Sequence, residues 1–463
     1  MFFGRRAELN KLNEMYDSGA FEFAVIYGRR RIGKTTLIRE FVKDKKYLFF
    51  AASESTARVN LVSLSSCIGK ASSAPVYRDF ESALEAVFDM AKDERIIFVI
   101  DEYPYLAEAE RSISSLIQIL IDHKRDSSKL FLILCGSSMS FMENQVLGNK
   151  SPLYGRRTAQ LKILPFYFFD ALPFYESFGP IDRAVLYGAT GGIPEYLSKI
   201  DRNKSVKENI TSLFLNTSGN FFEEPSNLLK QELREPATYN AIIQSIAWGA
   251  SKLNEIATKA GIESNKCAKY LSSLINLGLI KKEYPYGEAK SKRSIYKIQD
   301  QMFRFWYRFV FPNFSAITAG LGVGVYEHEV EGELNAYMGH IFEDICKQWF
   351  FLQANENRLP FFVGDIGRYW GTNPRTRTQE EIDLMAARKD NALFAECKWQ
   401  NALVGAEVYH ELKRKSEMFR YENPFFFIFA KNGFDAKLKL LSSNDRHLKL
   451  ISLADMSTPS QFA

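Results

Sequence analysis

Gly28, Gly33, Lys34 and Thr35 satisfy the pattern G-x-x-x-x-G-K-[ST], the spacing with which a chain cradles phosphate. Arg29, Arg30, Arg31 and Ile32 fill the loop, and Thr36 follows it. Its glycines let successive main-chain N–H groups curl around an anion at a helix N-terminus. Lys34 then neutralises the β- and γ-phosphates of ATP, and the Thr35 hydroxyl holds the Mg²⁺ that bridges them. The arginine run either adds positive charge beside the anion or engages the protein's own acidic surfaces. An acid pair, Asp101 and Glu102, supplies the complementary chemistry: Asp101 for the metal, Glu102 to orient and deprotonate the attacking water. A third set lies far along the chain. Asp383 and Glu396 as carboxylates for Mg²⁺, with Lys398 to orient or activate water, make a rational phosphodiester-hydrolysing site, and Glu343 is a further candidate ligand.

These groups need elements to hold them, and the flanking residues supply them. Residues 23–27 read as a buried strand and residues 36–42 as a helix, so strand, glycine loop and helix arrive in the required order. Residues 47–51 form a second strand and 84–90 an amphipathic helix. Residues 96–100 are an uninterrupted apolar strand that places Asp101 and Glu102 at its C-terminal edge, where ligands bind in open α/β sheets. A further strand over 130–135 ends in Gly136, Ser137 and Ser138. Ser137 can sense a γ-phosphate or cap the next helix, and both roles are open. Arg156 and Arg157 can reach a γ-phosphate, in cis or on a neighbouring subunit, or stand as a solvated pair. In the last third, Glu343 lies on an amphipathic helix, 381–386 form a strand, and 392–399 return as its hairpin partner after a polar turn. Alternation puts Glu396 and Lys398 on one face of that strand.

Between these halves, residues 241–247, 253–257 and 264–277 read as three short helices, with Ser264 as N-cap of the third, and 279–284 and 294–298 as two strands. The order resembles a winged helix-turn-helix. Lys266 and Lys269 lie on the third helix and Lys290, Lys292 and Arg293 in the wing, where they can meet phosphates. DNA binding and an interdomain role are both open. The aromatic run from Phe303 to Phe314 reads as a packed joining helix, and the glycines at 320, 322 and 324 as a flexible boundary.

A length of 463 residues suggests about three domains. With 46% hydrophobic and 25% charged residues the composition is that of an ordinary soluble protein. The five cysteines have no C-x-x-C spacing, which argues against a zinc site or a disulfide framework and for a reducing, cytoplasmic setting. No apolar run reaches membrane-spanning length. A net charge of +5 is a weak basic bias, so a nucleic-acid partner must be sought in local patches.

Taken together, the set resembles a family of archaeal and bacterial P-loop ATPases related to the STAND and AAA+ groups. The likeness is carried by Phe3-Gly4-Arg5 with Glu8-Leu9, the phosphate loop, Asp101-Glu102, Gly136-Ser137-Ser138, residues 151–157, and Gly191-Gly192-Ile193-Pro194-Glu195-Tyr196-Leu197. It implies that Gly4 and Arg5 lie near the adenine and that Pro194 closes over the nucleotide from a helical lid. The C-terminal third resembles the PD-(D/E)XK restriction-endonuclease-like fold in the version called DUF234, supported by residues 367–371 and 425–434. Ile382 stands where the motif usually has proline. The implied fold class is α/β: a P-loop NTPase parallel sheet with helical lid (1–235), a winged helix-turn-helix (236–300), an aromatic helix and linker (301–330), and a restriction-endonuclease-like α/β domain (331–463). The expected function is a Mg²⁺-dependent ATPase that couples nucleotide state to a DNA-binding, nuclease-like tail; whether that tail also cleaves DNA, with the ATPase licensing cleavage, is open. The competing expectation is a nucleotide-gated switch or scaffold with a protein partner and a silent tail. A homo-oligomer is compatible with either.

Overall fold

The computed structural model describes residues 2–72, 76–288 and 291–456. The chain divides into two compact units: Met1–Pro165 with Ile193–Glu195, and Phe166–Gly192 with Tyr196–Ala463. Most of the segment expected as a lid thus packs with the C-terminal part.

The first unit is a sheet of five parallel strands, β1 (Glu22–Tyr27), β2 (Tyr47–Ala51), β3 (Ile96–Asp101), β4 (Leu130–Gly136) and β5 (Ala159–Lys162), in the order β2-β3-β4-β1-β5. The interior strands β3 and β4 are buried along their whole length, which is why they read as unbroken apolar runs. Helices α1 (Arg6–Asp17), α2 (Lys34–Val42) and α3 (Ala57–Ser72) belong to this unit. β1 is flanked by strands on both sides and α2 follows it directly, so the glycine loop opens at the C-terminal edge of the sheet. Asp101 ends β3 and Gly136 ends β4 at the same edge.

In the second unit, helices Pro236–Ala247, Leu253–Ala260 and Ser264–Asn276 precede an antiparallel pair, β6 (Ile280–Glu283) and β7 (Ile295–Ile298), which is the expected winged-helix order. Ser264 is not the cap: Glu263 holds the N-cap position, and the Ser264 hydroxyl donates to Asn254 Oδ1 at 3.2 Å. The wing is not free either. Tyr286 N–H donates to the Arg368 carbonyl at 2.8 Å, Arg293 Nη1 to the Trp370 carbonyl at 3.3 Å, and Lys281 Nζ to Asp344 Oδ1 at 3.2 Å. Arg293 is therefore held by protein rather than offered to phosphate, and Lys290 lies outside the described residues. Phe303, Phe305, Trp306, Tyr307 and Phe309 are all buried, so the aromatic run packs as read. Gly322 begins a helical turn against Leu215, whose carbonyl oxygen would lie 1.8 Å from an added Cβ. Close packing, and not flexibility, requires that glycine.

The C-terminal sheet consists of β8 (Gly367–Thr372), β9 (Gln379–Arg388), β10 (Asn391–Lys398), β11 (Asn423–Ala430) and β12 (Leu448–Ser452), ordered β12-β11-β10-β9-β8. The hairpin β9–β10 is antiparallel and turns at Lys389, with φ 53°. Pairing of β10 with β11 and of β11 with β12 is parallel. Alternation along β11 divides the core: Phe427 and Phe429 pack on Trp349 and Phe350 of the helix Leu334–Asn355, whereas Phe426 meets Tyr409 of the helix Ala406–Ser416.

Candidate functional site

Gly33 sits at φ 88°, a conformation that suits glycine and directs the loop into α2. Lys34, at the first turn of α2, is buried, and its ammonium donates to the carbonyls of Gly28 at 3.0 Å and Arg29 at 3.1 Å. It lies across the loop that would hold phosphate. The Thr35 hydroxyl donates to Asp101 Oδ2 at 2.9 Å, and Asp101 Oδ1 accepts the Glu102 N–H at 3.0 Å. A hydroxyl and a carboxylate in contact at a phosphate loop are the hard oxygen donors that Mg²⁺ takes, so the residues fit that ion. Glu102 has left-handed backbone, φ 51°, and its Oε2 accepts the Ser137 hydroxyl at 2.9 Å. Non-glycine residues held at positive φ cluster at functional sites. Of the two roles open to Ser137, helix capping is not the one adopted, because Ser138 occupies the N-cap position.

Other residues of the expected set are placed around this core. Arg5, at φ 58°, donates to the Leu164 carbonyl at 2.6 Å and the Ile32 carbonyl at 3.3 Å, and so ties the opening segment to the phosphate loop. Gly4 precedes it at φ 66°. Pro194 lies over Gly33, with its Cγ 3.6 Å from where a Cβ would stand. In the arginine run, Arg29 is buried, Arg30 Nη2 donates to the Tyr105 hydroxyl at 2.9 Å, and Arg31 has φ 67°. Arg156 is gripped by Asp122 through two hydrogen bonds, each 2.7 Å. That bidentate pair engages the guanidinium that the sequence left available to a γ-phosphate.

The second set also converges. Lys398 Nζ donates to Glu396 Oε1 at 2.7 Å, as the shared strand face requires. Asp383, on β9, accepts the Cys397 N–H at 2.8 Å. Burial, reinforced by the charges of Glu396 and Glu343, pushes the Asp383 carboxyl up to about 7. Although burial pulls the Lys398 ammonium down, Glu396 beside it holds its pKa above the ordinary lysine value. Lys398 is thus a cation suited to orienting an anion or a water. Glu343 also meets His340 Nδ1 at 3.1 Å. Among the described residues, no group of three or more His, Cys, Asp or Glu is gathered as a ready metal cage. The pair Asp383 and Glu396 still fits Mg²⁺, which binds through one or two carboxylates and keeps several waters. Glu396 Oε2 is buried and makes no hydrogen bond, with only the Lys415 ammonium near it at 3.8 Å, so it keeps a lone pair that a bound cation would engage.

Sequence reasoning missed two neighbours of this site. Lys415 approaches Glu396 Oε2 at 3.8 Å, and Arg368 pairs with Glu381 near Glu343. Position on a strand or helix is the only signal either carries. It also missed the ion pair of Asp344 with Lys281. Burial raises the Asp344 pKa, but Lys281 and Arg304 bring it below the ordinary value.

A family model described as an ATPase domain predominantly from Archaea matches residues 2–200. A second, DUF234, described as archaeal and bacterial proteins of unknown function, matches residues 306–415. An uncharacterized protein of Methanocaldococcus jannaschii is 36% identical over 431 residues, 90% of this chain and 92% of its own. The Walker-type ATPase of Pyrococcus abyssi has a similar structure, with a TM-score of 0.51 and 18% identity, covering 66% of this chain and 96% of its own. That likeness is one of fold. The ORC2 protein of Aeropyrum pernix, solved as ADPNP and ADP complexes, has a TM-score of 0.45 and 15% identity over 68% of this chain and 95% of its own. No helix among the described residues is long and apolar enough to cross a membrane.

Proposed function

We propose, for a chain that belongs to the predominantly archaeal family of ATPases with a C-terminal DUF234 domain, that nucleotide state governs a cytoplasmic DNA-binding, DNA-cleaving module. The chain is an ATPase. In the reading we favour, Lys34 leaves the carbonyls of Gly28 and Arg29 for the β- and γ-phosphates, so that the loop is preorganised around its own lysine until nucleotide arrives. A bound Mg²⁺ would supply positive charge against the charge that develops on the transferring phosphoryl group. Thr35 and Asp101, already in contact, hold that ion. Glu102 takes a proton from the attacking water, and Ser137 fixes the carboxylate that does so. Arg5 and Pro194 shape the nucleotide's surroundings.

The observation that carries the DNA-cleaving half is the Asp383 carboxyl held near Glu396 with Lys398 on the same strand face. Two acids and a cation at that spacing suit a scissile phosphate and its metal. Exposed Lys266 and Lys269 on the helix Ser264–Asn276 supply the phosphate contacts for binding. The test is DNA retention and cleavage by the full chain with Mg²⁺. Retention that falls with salt, and cleavage abolished in Asp383→Ala while ATP turnover persists, support the reading. Intact, unbound DNA in every form would sink it.

One observation favours the competing reading, a nucleotide switch for a protein partner: the wing is occupied by hydrogen bonds to residues 368–387. Binding that is indifferent to salt, to a protein and not to DNA, would select it.

A further inference from the structure

One end of the C-terminal sheet gathers cations that have no acid of their own. β10 and β11 run parallel and finish together, Lys398 beside Ala430, while β9 is antiparallel to β10, so the start of β9 and the turn from β8 lie at that same end. Just past β11, the Lys431 N–H donates to the Lys398 carbonyl at 3.0 Å. The Lys431 ammonium donates to Asn401 Oδ1 at 2.7 Å and to Asn335 Oδ1 at 3.1 Å, and it lies 5.2 Å from the centre of the Trp399 ring. All three partners are neutral. Burial draws this ammonium below the ordinary lysine value, and no carboxylate among the described residues raises it again, whereas Lys398 on the next strand is matched by Glu396.

The turn between β8 and β9 is braced from within. Buried Asn373 accepts the Arg375 N–H on its Oδ1 at 3.0 Å, its carbonyl accepts the Arg377 N–H at 2.9 Å, and the hydroxyls of Thr376 and Thr378 meet at 2.6 Å. This frame presents Arg375 and Arg377 to solvent, the second at φ 58°, the kind of backbone strain that gathers at ligand clamps. Neither arginine makes an ion pair among the described residues. The acids at the base of the turn are already paired, Glu380 with Arg414 at 2.9 Å on each oxygen and Glu381 with Arg368.

We propose, on the DNA-cleaving reading above, that this end of the sheet is a track for one backbone of a DNA duplex, with Lys431 and the Arg375–Arg377 turn gripping phosphates on either side of the one presented to Asp383, Glu396 and Lys398. The strand order β11-β10-β9-β8 puts the two grips on opposite flanks of that site. Guanidinium forks and threonine hydroxyls are donors suited to phosphate oxygens. Lys431 exchanges a neutral amide acceptor for a phosphate oxygen without giving up an ion pair. Four residues of β9 separate Gln379 from Asp383, about 13 Å of strand, so the turn meets the duplex about four base pairs from the scissile phosphate. Lys431, one strand spacing or about 4.8 Å from Lys398, meets a phosphate next to it.

Filter binding of the full chain to duplex DNA over a salt series tests this. Arg375→Ala with Arg377→Ala is expected to weaken binding about tenfold and to reduce the salt slope by about two, one for each phosphate released. Lys431→Ala is expected to reduce the slope by about one, and Lys431→Arg, which keeps the charge, to restore it. The arginines of the turn are exposed, so that pair tests the track even where Lys431→Ala loosens the bonds to Asn335 and Asn401. An unchanged slope in the arginine pair or in Lys431→Ala would overturn the track and leave DNA binding through Lys266 and Lys269 standing. A wild type that binds no duplex at any salt concentration would overturn both.

Discussion

Ser137 donates its hydroxyl to Glu102 Oε2 at 2.9 Å, across the edge where β4 and β3 end side by side. The bond joins two residues 35 positions apart and fixes a carboxylate whose own backbone is left-handed. In the mechanism proposed above Glu102 faces the attacking water, and its partner then sets how often it does.

Replacing Ser137 with Ala should therefore lower the turnover number about tenfold, in the range of a missing positioning hydrogen bond, while leaving ATP affinity unchanged. Single-turnover hydrolysis set beside nucleotide titration separates the two. An altered preference between ATP and ADP, with hydrolysis intact, would instead make Ser137 a phosphate ligand.

Lys34 bonds two loop carbonyls, and in the proposed cycle nucleotide draws it away. Wild-type thermal stability should rise with Mg²⁺ and a non-hydrolysable ATP analogue, by about 2 to 4 kcal/mol at saturation, because the ligand binds only the folded state. Lys34→Ala should show almost none of this shift in a melting experiment, and chelating Mg²⁺ should diminish it in the wild type.

At the C-terminal site the carboxyl of Asp383, pushed up to about 7 by burial and by Glu396 and Glu343, is a source of strain. Its folded pKa lies above the ordinary 3.8, so the native state binds the extra proton between those values and stability falls as pH rises from about 4 through 7. Asp383→Asn should remove that fall and stabilise the metal-free chain by up to about 4 kcal/mol at pH 8, with little gain at pH 4. Urea unfolding at the two pH values reads this directly. A destabilised variant at pH 8 would mean the carboxylate serves the fold rather than a ligand.

The occupied wing and the exposed helix Ser264–Asn276 divide the basic residues of the winged helix. Lys266→Ala with Lys269→Ala should weaken duplex DNA binding by about tenfold and reduce the salt slope by about two, one for each phosphate no longer neutralised. Arg293→Ala should change neither, because its guanidinium serves Trp370 and Glu288. Filter binding over a salt series distinguishes the positions. Equal weakening from both would place the wing on DNA after all.

Much of this arrangement is legible in the amino-acid sequence. β3 falls within a residue of its expected limits because a buried parallel strand carries one signal, a continuous apolar run closed by a polar residue, and β2, half exposed at the edge of the sheet, keeps the limits of its short apolar run. The face shared by Glu396 and Lys398 follows from alternation alone. What cannot be read depends on pairings between distant residues. Arg156 reads as available to a phosphate, and nothing near it in sequence announces Asp122. Arg293 reads as a wing residue facing phosphate, but its partner is a carbonyl on β8. The glycine at 322 reads as a hinge, since a requirement for close approach and a requirement for freedom select the same residue. Asp344 and Lys281 form an ion pair across 63 positions, which no local pattern encodes.

Coupling between the nucleotide site and DNA is most directly measured as steady-state ATP hydrolysis by the full chain with and without duplex and single-stranded DNA, beside Glu102→Gln and the Lys266→Ala, Lys269→Ala variant. Coupling predicts turnover that rises severalfold with DNA, vanishes in Glu102→Gln under every condition, and loses only its stimulation in the lysine variant. Wild-type turnover indifferent to every DNA, or hydrolysis undiminished in Glu102→Gln, would contradict it.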